Sequence, residues 1–152
     1  MTYIFNHPSE FAAALGQVFG PTDWLAIEQN RIDMFADATG DHQWIHVDPE
    51  RAKAGPFGTT IAHGYLTLSL INYFLPQLIE VRGISMGINY GLNKLRFPAV
   101  VKCGSRIRAK SELISVESRG GAIESVFRVT VEIEGETKPA CVAESISLWY
   151  PA

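Results

Sequence analysis

The sequence predicts an α+β fold in which an antiparallel sheet curls around one long helix. Three observations point there. The first half of the chain carries helical spacings and loops, whereas the second half alternates with a period of two. Between the halves lies an apolar segment, Tyr65 to Val81, with leucines, aromatics and small residues on almost every face. A helix of that kind has to be enclosed on several sides. No repeat, linker or low-complexity stretch interrupts the 152 residues, so the chain reads as a single domain, 1–152.

Ser9 is placed to cap a short helix running to Leu15, with Glu10 in its first turn. Gly16 and Gly20-Pro21 punctuate the chain, and Asp23 to Ile27 reads as a short strand. From Glu28 to Thr39, the residues Ile32, Phe35, Ala36 and Thr39 recur at helical spacing. Gly40 follows where helices commonly end in a left-handed turn, so Asp41 leaves the helix at a fixed exit point. The loop from Asp41 to His46 reads as tight and non-helical. Asp48 and Pro49 then mark the cap and first position of another short helix, which ends at Gly55-Pro56. Phe57 to Thr60 is a loop, and Ile61-Ala62-His63-Gly64 leads into the long apolar helix.

After Gly83 the period changes to two. Ser85 to Tyr90 and Lys94 to Phe97 read as strand pieces, with Gly91 a bulge or a site of close approach. Ser105 to Glu117 and Ala122 to Glu134 form a hairpin across Arg119-Gly120-Gly121, and the last strand runs from Lys138 to Trp149. Wrapping this sheet around the Tyr65–Val81 helix is reached by elimination rather than from the pattern itself.

Composition narrows the function. Hydrophobic residues make up 47% and charged residues 19%, which is a globular balance. The formal net charge is -3 with no basic cluster, so no nucleic-acid surface is expected. The N-terminus has no basic and apolar signal pattern, and the apolar segment is interrupted by Asn72, Pro76, Gln77 and Glu80. Neither a secretory leader nor a membrane span is therefore expected, and a cytoplasmic location is. Cys103 and Cys141, both read as strand residues, lack metal-ligand spacing and are expected to be thiols of a reducing compartment.

Chemistry concentrates in Thr39 to Pro49. Asp41 and His46 flank Trp44 and Ile45, so a carboxylate and an imidazole share a partly dry surrounding. Such a pair can hold one water between them, one group accepting its proton and the other positioning it. The competing reading has Asp41 capping a turn and His46 as a satisfied core histidine; spacing alone does not separate the two. At the start of the long helix, the Gly64 N–H is open to a carbonyl that gains negative charge, although glycine there also relieves crowding. His63 reads as a structural histidine satisfying loop backbone. Asn72, two turns on, is a candidate for the same pocket. Lys94 and Arg96 are candidates for phosphate contacts, or else ordinary edge charges. No phosphate loop, nucleophile elbow or zinc motif is present.

The stretch Thr39-Gly40-Asp41-His42-Gln43-Trp44-Ile45-His46-Val47-Asp48-Pro49, with Gly55-Pro56-Phe57-Gly58-Thr59-Thr60-Ile61-Ala62-His63-Gly64, resembles the hydratase 2 motif of MaoC-like dehydratases. Ile88 to Pro98 and Lys138 to Glu144 are similar to the same family, so the likeness covers nearly the whole chain. It is greatest to single-domain actinobacterial (R)-specific enoyl-CoA hydratases and to nodulation protein N relatives. The resemblance implies a hot-dog fold whose sheet wraps the helix at about 65–81. It also implies a homodimer joined edge to edge, with the acyl tunnel near the interface. Asp41 and His46 would hold the catalytic water and Gly64 N–H would polarise a thioester carbonyl; where Asn72 aligns, some members carry a serine, so the resemblance gives Asn72 little of a binding role. No metal and no cofactor are implied, coenzyme A being part of the substrate. Gln43-Trp44 departs from the Asn-Pro common at this place in the family, which implies a different loop shape. Two alternatives remain: a hot-dog thioesterase, for which the helix offers only Glu80, and a non-catalytic partner subunit of a heterodimeric dehydratase.

Overall fold

The computed structural model describes residues 1–152. Strand β1 (Tyr3–Phe5) opens the chain and a 3-10 helix, Pro8–Ala14, follows. Its cap is His7, whose ring accepts from Ser9 N–H, and not Ser9 itself as the sequence suggested. Pro8 takes the first helical position, where a missing N–H costs nothing. Next come β2 (Val18–Phe19) and β3 (Leu25–Ala26), the latter shorter than the Asp23–Ile27 strand expected. Helix α1 (Gln29–Thr39) ends at Gly40 in the left-handed region, φ 79, as its position predicted. The loop after Asp41 is not irregular: Trp44–Val47 forms a one-turn helix, α2. Asp48 then caps α3 (Pro49–Lys53) by accepting from Arg51 N–H.

The apolar segment departs from expectation at three points. It breaks into α4 (Gly64–Ser69) and α5 (Ile71–Leu78), and its last residues, Ile79–Val81, form strand β4. Ser69 Oγ donates to the Tyr65 carbonyl at 2.7 Å, a back-bond that bends a helix just where α4 stops. Pro76 cannot donate to Asn72, so α5 closes soon after it. Beyond that, β-branched Ile79 and Val81 pair in parallel with Tyr3 and Phe5, a partner remote in sequence. The helix is also not enclosed all round: Tyr65, Ser69, Asn72, Tyr73, Pro76 and Gln77 lie exposed in the single chain.

The remaining strands are β5 (Ile84–Arg96), β6 (Arg106–Arg119), β7 (Ala122–Ile133) and β8 (Cys141–Pro151). The sheet runs β2-β6-β7-β8-β5, with β3 also on β6. Every pairing in it is antiparallel. β5 is one strand and not two pieces, and its register slips between Asn89 and Gly91, where the sequence placed a bulge. On β6, Ile107, Ala109, Ser111 and Leu113 alternate inward, while Arg106, Arg108, Lys110 and Glu112 face away. Glu132 on that outer face is held below the usual carboxylate range, chiefly by a hydrogen bond from Arg108.

The inner face of the sheet packs on Leu66, Leu70, Ile71, Phe74 and Leu78 of α4 and α5. Phe11 from the 3-10 helix joins them, its ring meeting Phe5 at 4.8 Å and Trp149 at 5.7 Å. Phe74 is fully buried, so truncating it to Ala is worth about 3–5 kcal/mol of stability. Cys141 is buried on β8, which pushes its thiol up to about 11. Cys103 lies in a turn, not a strand, and both cysteines are free. No helix is long and apolar enough to cross a membrane.

Candidate active site

The site forms where the exit of α1, helix α2 and the start of α4 meet. Gly40 turns the chain out of α1, its N–H closing on Ala36 carbonyl at 2.8 Å. Thr39 Oγ1 donates to Phe35 carbonyl at 2.7 Å, and His42 Nε2 meets Asp37 Oδ1 at 2.8 Å. The pairing with Asp37 raises the His42 imidazole above its ordinary value. The His42 contact ties the segment after Asp41 back to α1, so a residue just beyond a helix end is held from either side.

Helix α2 is fixed against the segment before α4. Ile61 N–H donates to Ile45 carbonyl at 3.0 Å, and His46 Nδ1 lies 2.7 Å from the Ile61 carbonyl. A carbonyl can only accept, so Nδ1 carries the hydrogen and the neutral ring presents its lone pair at Nε2. Burial lowers the His46 imidazole from its ordinary 6.5, and proximity to His63 acts in the same direction. The bond to Ile61 and the charge of Asp41 oppose this without reversing it. His46 is thus a neutral base at neutral pH, with one nitrogen committed and the other open.

Gln29, at the start of α1, holds this turn from behind. Its Nε2 donates to the His46 carbonyl at 2.7 Å, and its Oε1 accepts from Thr60 Oγ1 at 2.5 Å. Nothing in the sequence singled out Gln29. It lies seventeen positions from His46, and a polar residue in a first helical turn looks like surface.

His46, Asp41 and His63 converge, with one potential ligand atom from each lying within 4.8 Å of the others. The His46 and His63 rings stack at 3.8 Å with 20° between their planes. His63 Nε2 is 3.0 Å from the Asp41 carbonyl, the backbone-satisfying role its sequence suggested. Within this cluster His46 Nδ1 and His63 Nε2 are engaged with carbonyls, which leaves one nitrogen of each ring and the Asp41 carboxylate as its remaining potential ligand atoms.

A cavity of about 480 Å³ opens over these groups, lined by Phe35, Thr39, Asp41, His46, His63, Gly64, Tyr65 and Phe97. Asp41 stands at its wet side, its side chain 53% exposed, whereas His46 is 7% exposed. A mostly apolar recess of about 200 Å³ shares His46, Gly64 and Phe97 and continues past Ile61, Ala99 and Val101. Gly64 begins α4, so its N–H has no acceptor within the helix. A Cβ on Gly64 would sit 3.1 Å from the Phe97 ring. Glycine therefore lets that wall close on the backbone.

The structure brings Asp41, His46 and Gly64 together. It does not bring Asn72, Lys94 or Arg96 to them. Asn72 lines a different cavity, of about 570 Å³, with Pro76, Asn89 and Trp149. Lys94 and Arg96 stand exposed on β5 and line neither space. Asn72 lies on α5, beyond the turn at Leu70 that interrupts the run on which a shared face was expected.

Comparison with known proteins bears on the family and the fold. Residues 10–136 match the family described as the MaoC like domain. The chain is 57% identical over 143 residues to 3-hydroxyacyl-thioester dehydratase Z of Mycobacterium tuberculosis, covering 93% of this chain and 95% of that protein. It is 45% identical to nodulation protein N of Rhizobium leguminosarum bv. viciae, over 92% of this chain and 89% of that one. Among solved structures, the unliganded R-hydratase PhaJ1 from Pseudomonas aeruginosa superposes with a TM-score of 0.71 at 23% identity. That match covers 91% of this chain and 83% of that chain, and it supports the hot-dog fold.

Proposed function

The chain belongs to the MaoC-like domain family, and from that premise we propose that it is an (R)-specific enoyl-CoA hydratase. The reaction adds water reversibly across a trans-2-enoyl thioester to give a (R)-3-hydroxyacyl-CoA. Dehydratase and hydratase chemistry, that of a hydro-lyase, is the activity of the family; the carrier, direction and stereochemistry are the proposal.

One observation carries it. His46 Nδ1 is spent on the Ile61 carbonyl, which leaves the Nε2 lone pair open beside the Asp41 carboxylate at a cavity bounded by Gly64. In the proposed step a water is held between His46 Nε2 and Asp41. Its oxygen forms a bond to C3 as Nε2 takes one of its protons. The C2–C3 π electrons move toward the thioester, whose oxygen becomes enolate-like and is met by the Gly64 N–H. The proton on His46 then passes to C2. Atoms balance, and the same groups run the dehydration. Asp41 orients the water and offsets the charge that His46 acquires. Coenzyme A enters as part of the substrate, and the reaction as written draws on no other cofactor.

We propose that the chain is a homodimer joined through the free edge of β5, a strand paired with β8 on one side only, where Met86, Ile88, Tyr90 and Leu92 are exposed. A thioesterase reading gains no support: Glu80 lies on β4, not on the helix, and its carboxylate meets Arg82 Nε at 2.6 Å. A purely structural partner subunit would have no need of the oriented His46 beside Asp41.

The test is hydration of crotonyl-CoA by the purified chain expressed alone, followed by loss of enoyl absorbance and chiral analysis of the product. Asp41→Asn and His46→Ala are each expected to lower turnover at least ~10²-fold with the fold intact. Near-normal hydration by either variant, or release of free thiol without hydration, would end the assignment.

A further inference from the structure

We infer that His63 is a positioning residue for the hydration reaction, holding Asp41 and His46 in their working relation. The inference rests on the hydratase reading above and extends it to a residue that touches both catalytic groups.

The geometry is specific. His63 is 3% exposed, and its ring stacks on His46 at 3.8 Å and meets the tilted ring of Phe35 at 4.9 Å. The nearly parallel stack on His46 fixes the plane of that imidazole, and hence the direction of the Nε2 lone pair. The Nε2–H of His63 donates to the Asp41 carbonyl at 3.0 Å, fixing the backbone from which the carboxylate projects. Its next neighbour in the chain is Gly64. One side chain therefore bears on the base, on its carboxylate partner and on the start of α4.

The other nitrogen supplies a second argument. His63 Nδ1 is buried and has no hydrogen-bond partner. A buried polar atom left unpaired works against folding, and an aromatic hydrocarbon of similar shape in the same place would not carry that penalty. If the ring served packing alone, phenylalanine would serve better. What phenylalanine lacks is the N–H that reaches Asp41. The pattern is that of a group retained for geometry at the site at some expense to stability.

The experiment separates stability from turnover. His63→Phe keeps the stack and removes the donor, while His63→Gln keeps a donor and removes the stack. Both are compared with the wild type and with His46→Ala in crotonyl-CoA hydration, alongside thermal unfolding by circular dichroism. His63→Phe is expected to melt at or above the wild-type temperature, to lose about tenfold or more in kcat, and to change KM less than about threefold. His63→Gln is expected to fold and to recover part of that kcat. Wild-type kcat in His63→Phe, or kcat and melting temperature falling together in both variants, would overturn the positioning role. If the wild type hydrates and His46→Ala does not, an unaffected His63→Phe overturns this inference alone. If the wild type does not hydrate at all, the hydratase reading fails first, and the inference with it.

Discussion

His46 donates from Nδ1 to the main-chain carbonyl of Ile61 across 2.7 Å, and this one contact decides which nitrogen faces the cavity. It also ties the tautomer of His46 to backbone geometry, since a carbonyl neither titrates nor changes rotamer. Among the charged and titratable groups around it, Asp41 and His63 oppose one another in their effect, and burial outweighs both.

The pH dependence follows with a definite sign. Burial lowers the folded-state value of His46 below its ordinary 6.5. The neutral, proton-accepting form therefore persists at and somewhat below pH 6.5, and the acid limb of kcat/KM is expected below that value. Stability moves the same way. In the unfolded chain His46 takes up a proton near 6.5, whereas in the folded chain it resists, so its contribution is present above 6.5 and is lost as pH falls through the folded value. A kcat/KM profile on an enoyl-CoA checks this, and an acid limb centred above 6.5 contradicts it.

Gln29 provides a test of support at a distance from the reacting atoms. Its amide joins the His46 carbonyl to the hydroxyl of Thr60, a residue 1% exposed. Gln29→Ala strands both partners, so a loss of about 1–3 kcal/mol in urea unfolding is expected. Because α2 keeps its bonds to Gln43 and Ile61, the accompanying loss of turnover is expected to be smaller than that of His46→Ala. A variant as stable as the wild type would mean that water replaces the amide without strain.

What the sequence made legible was local. Gly40 ends α1, Asp48 and Pro49 start α3, and Gly91 marks a register slip, because each of these features is set by a residue's own backbone preference. Asp41 and His46 were legible for the same reason, being close in sequence and fixed between two helix ends. What failed was set at long range. Ile79–Val81 left the helix because Tyr3–Phe5 offered a strand partner, and Gln29 joined the site across seventeen positions. Asn72 was expected near Asp41 from its place on one continuous helix, and Lys94 and Arg96 near the substrate from their charge; in the single chain they lie on other surfaces. The stacking of His63 on His46 left no trace in spacing at all.

Gly64→Ala isolates the cavity wall. Gly64 has no left-handed backbone demand, so alanine is not strained there, but its Cβ would meet the Phe97 ring at 3.1 Å. Phe97 is 38% exposed and can swing aside, which places the effect in the pocket more than in the core. The expected outcome is a KM raised by about tenfold, equivalent to about 1.4 kcal/mol, with little change in melting temperature. Unchanged KM with a large drop in melting temperature would assign Gly64 to packing instead.

The free edge of β5 is where a second copy of the chain is expected to pair. The strand pairs with β8 on one side and with nothing on the other, and Met86, Tyr90 and Leu92 remain 39–53% exposed along it. An open, apolar edge of this length invites pairing with another strand, and a second copy of the chain offers the same edge in the antiparallel sense. Light scattering on the purified protein is expected to give twice the 16.8 kDa of one chain. Replacing Met86 and Leu92 together by Lys should yield monomer, because two lysines brought against their symmetry mates add like charge where apolar contact was needed. These residues lie outside the Asp41 cavity, so residual hydration by the monomer reports whether the site is complete within one chain. A wild-type protein that is monomeric at micromolar concentration would remove the edge-to-edge dimer and leave the exposed strand to a different partner.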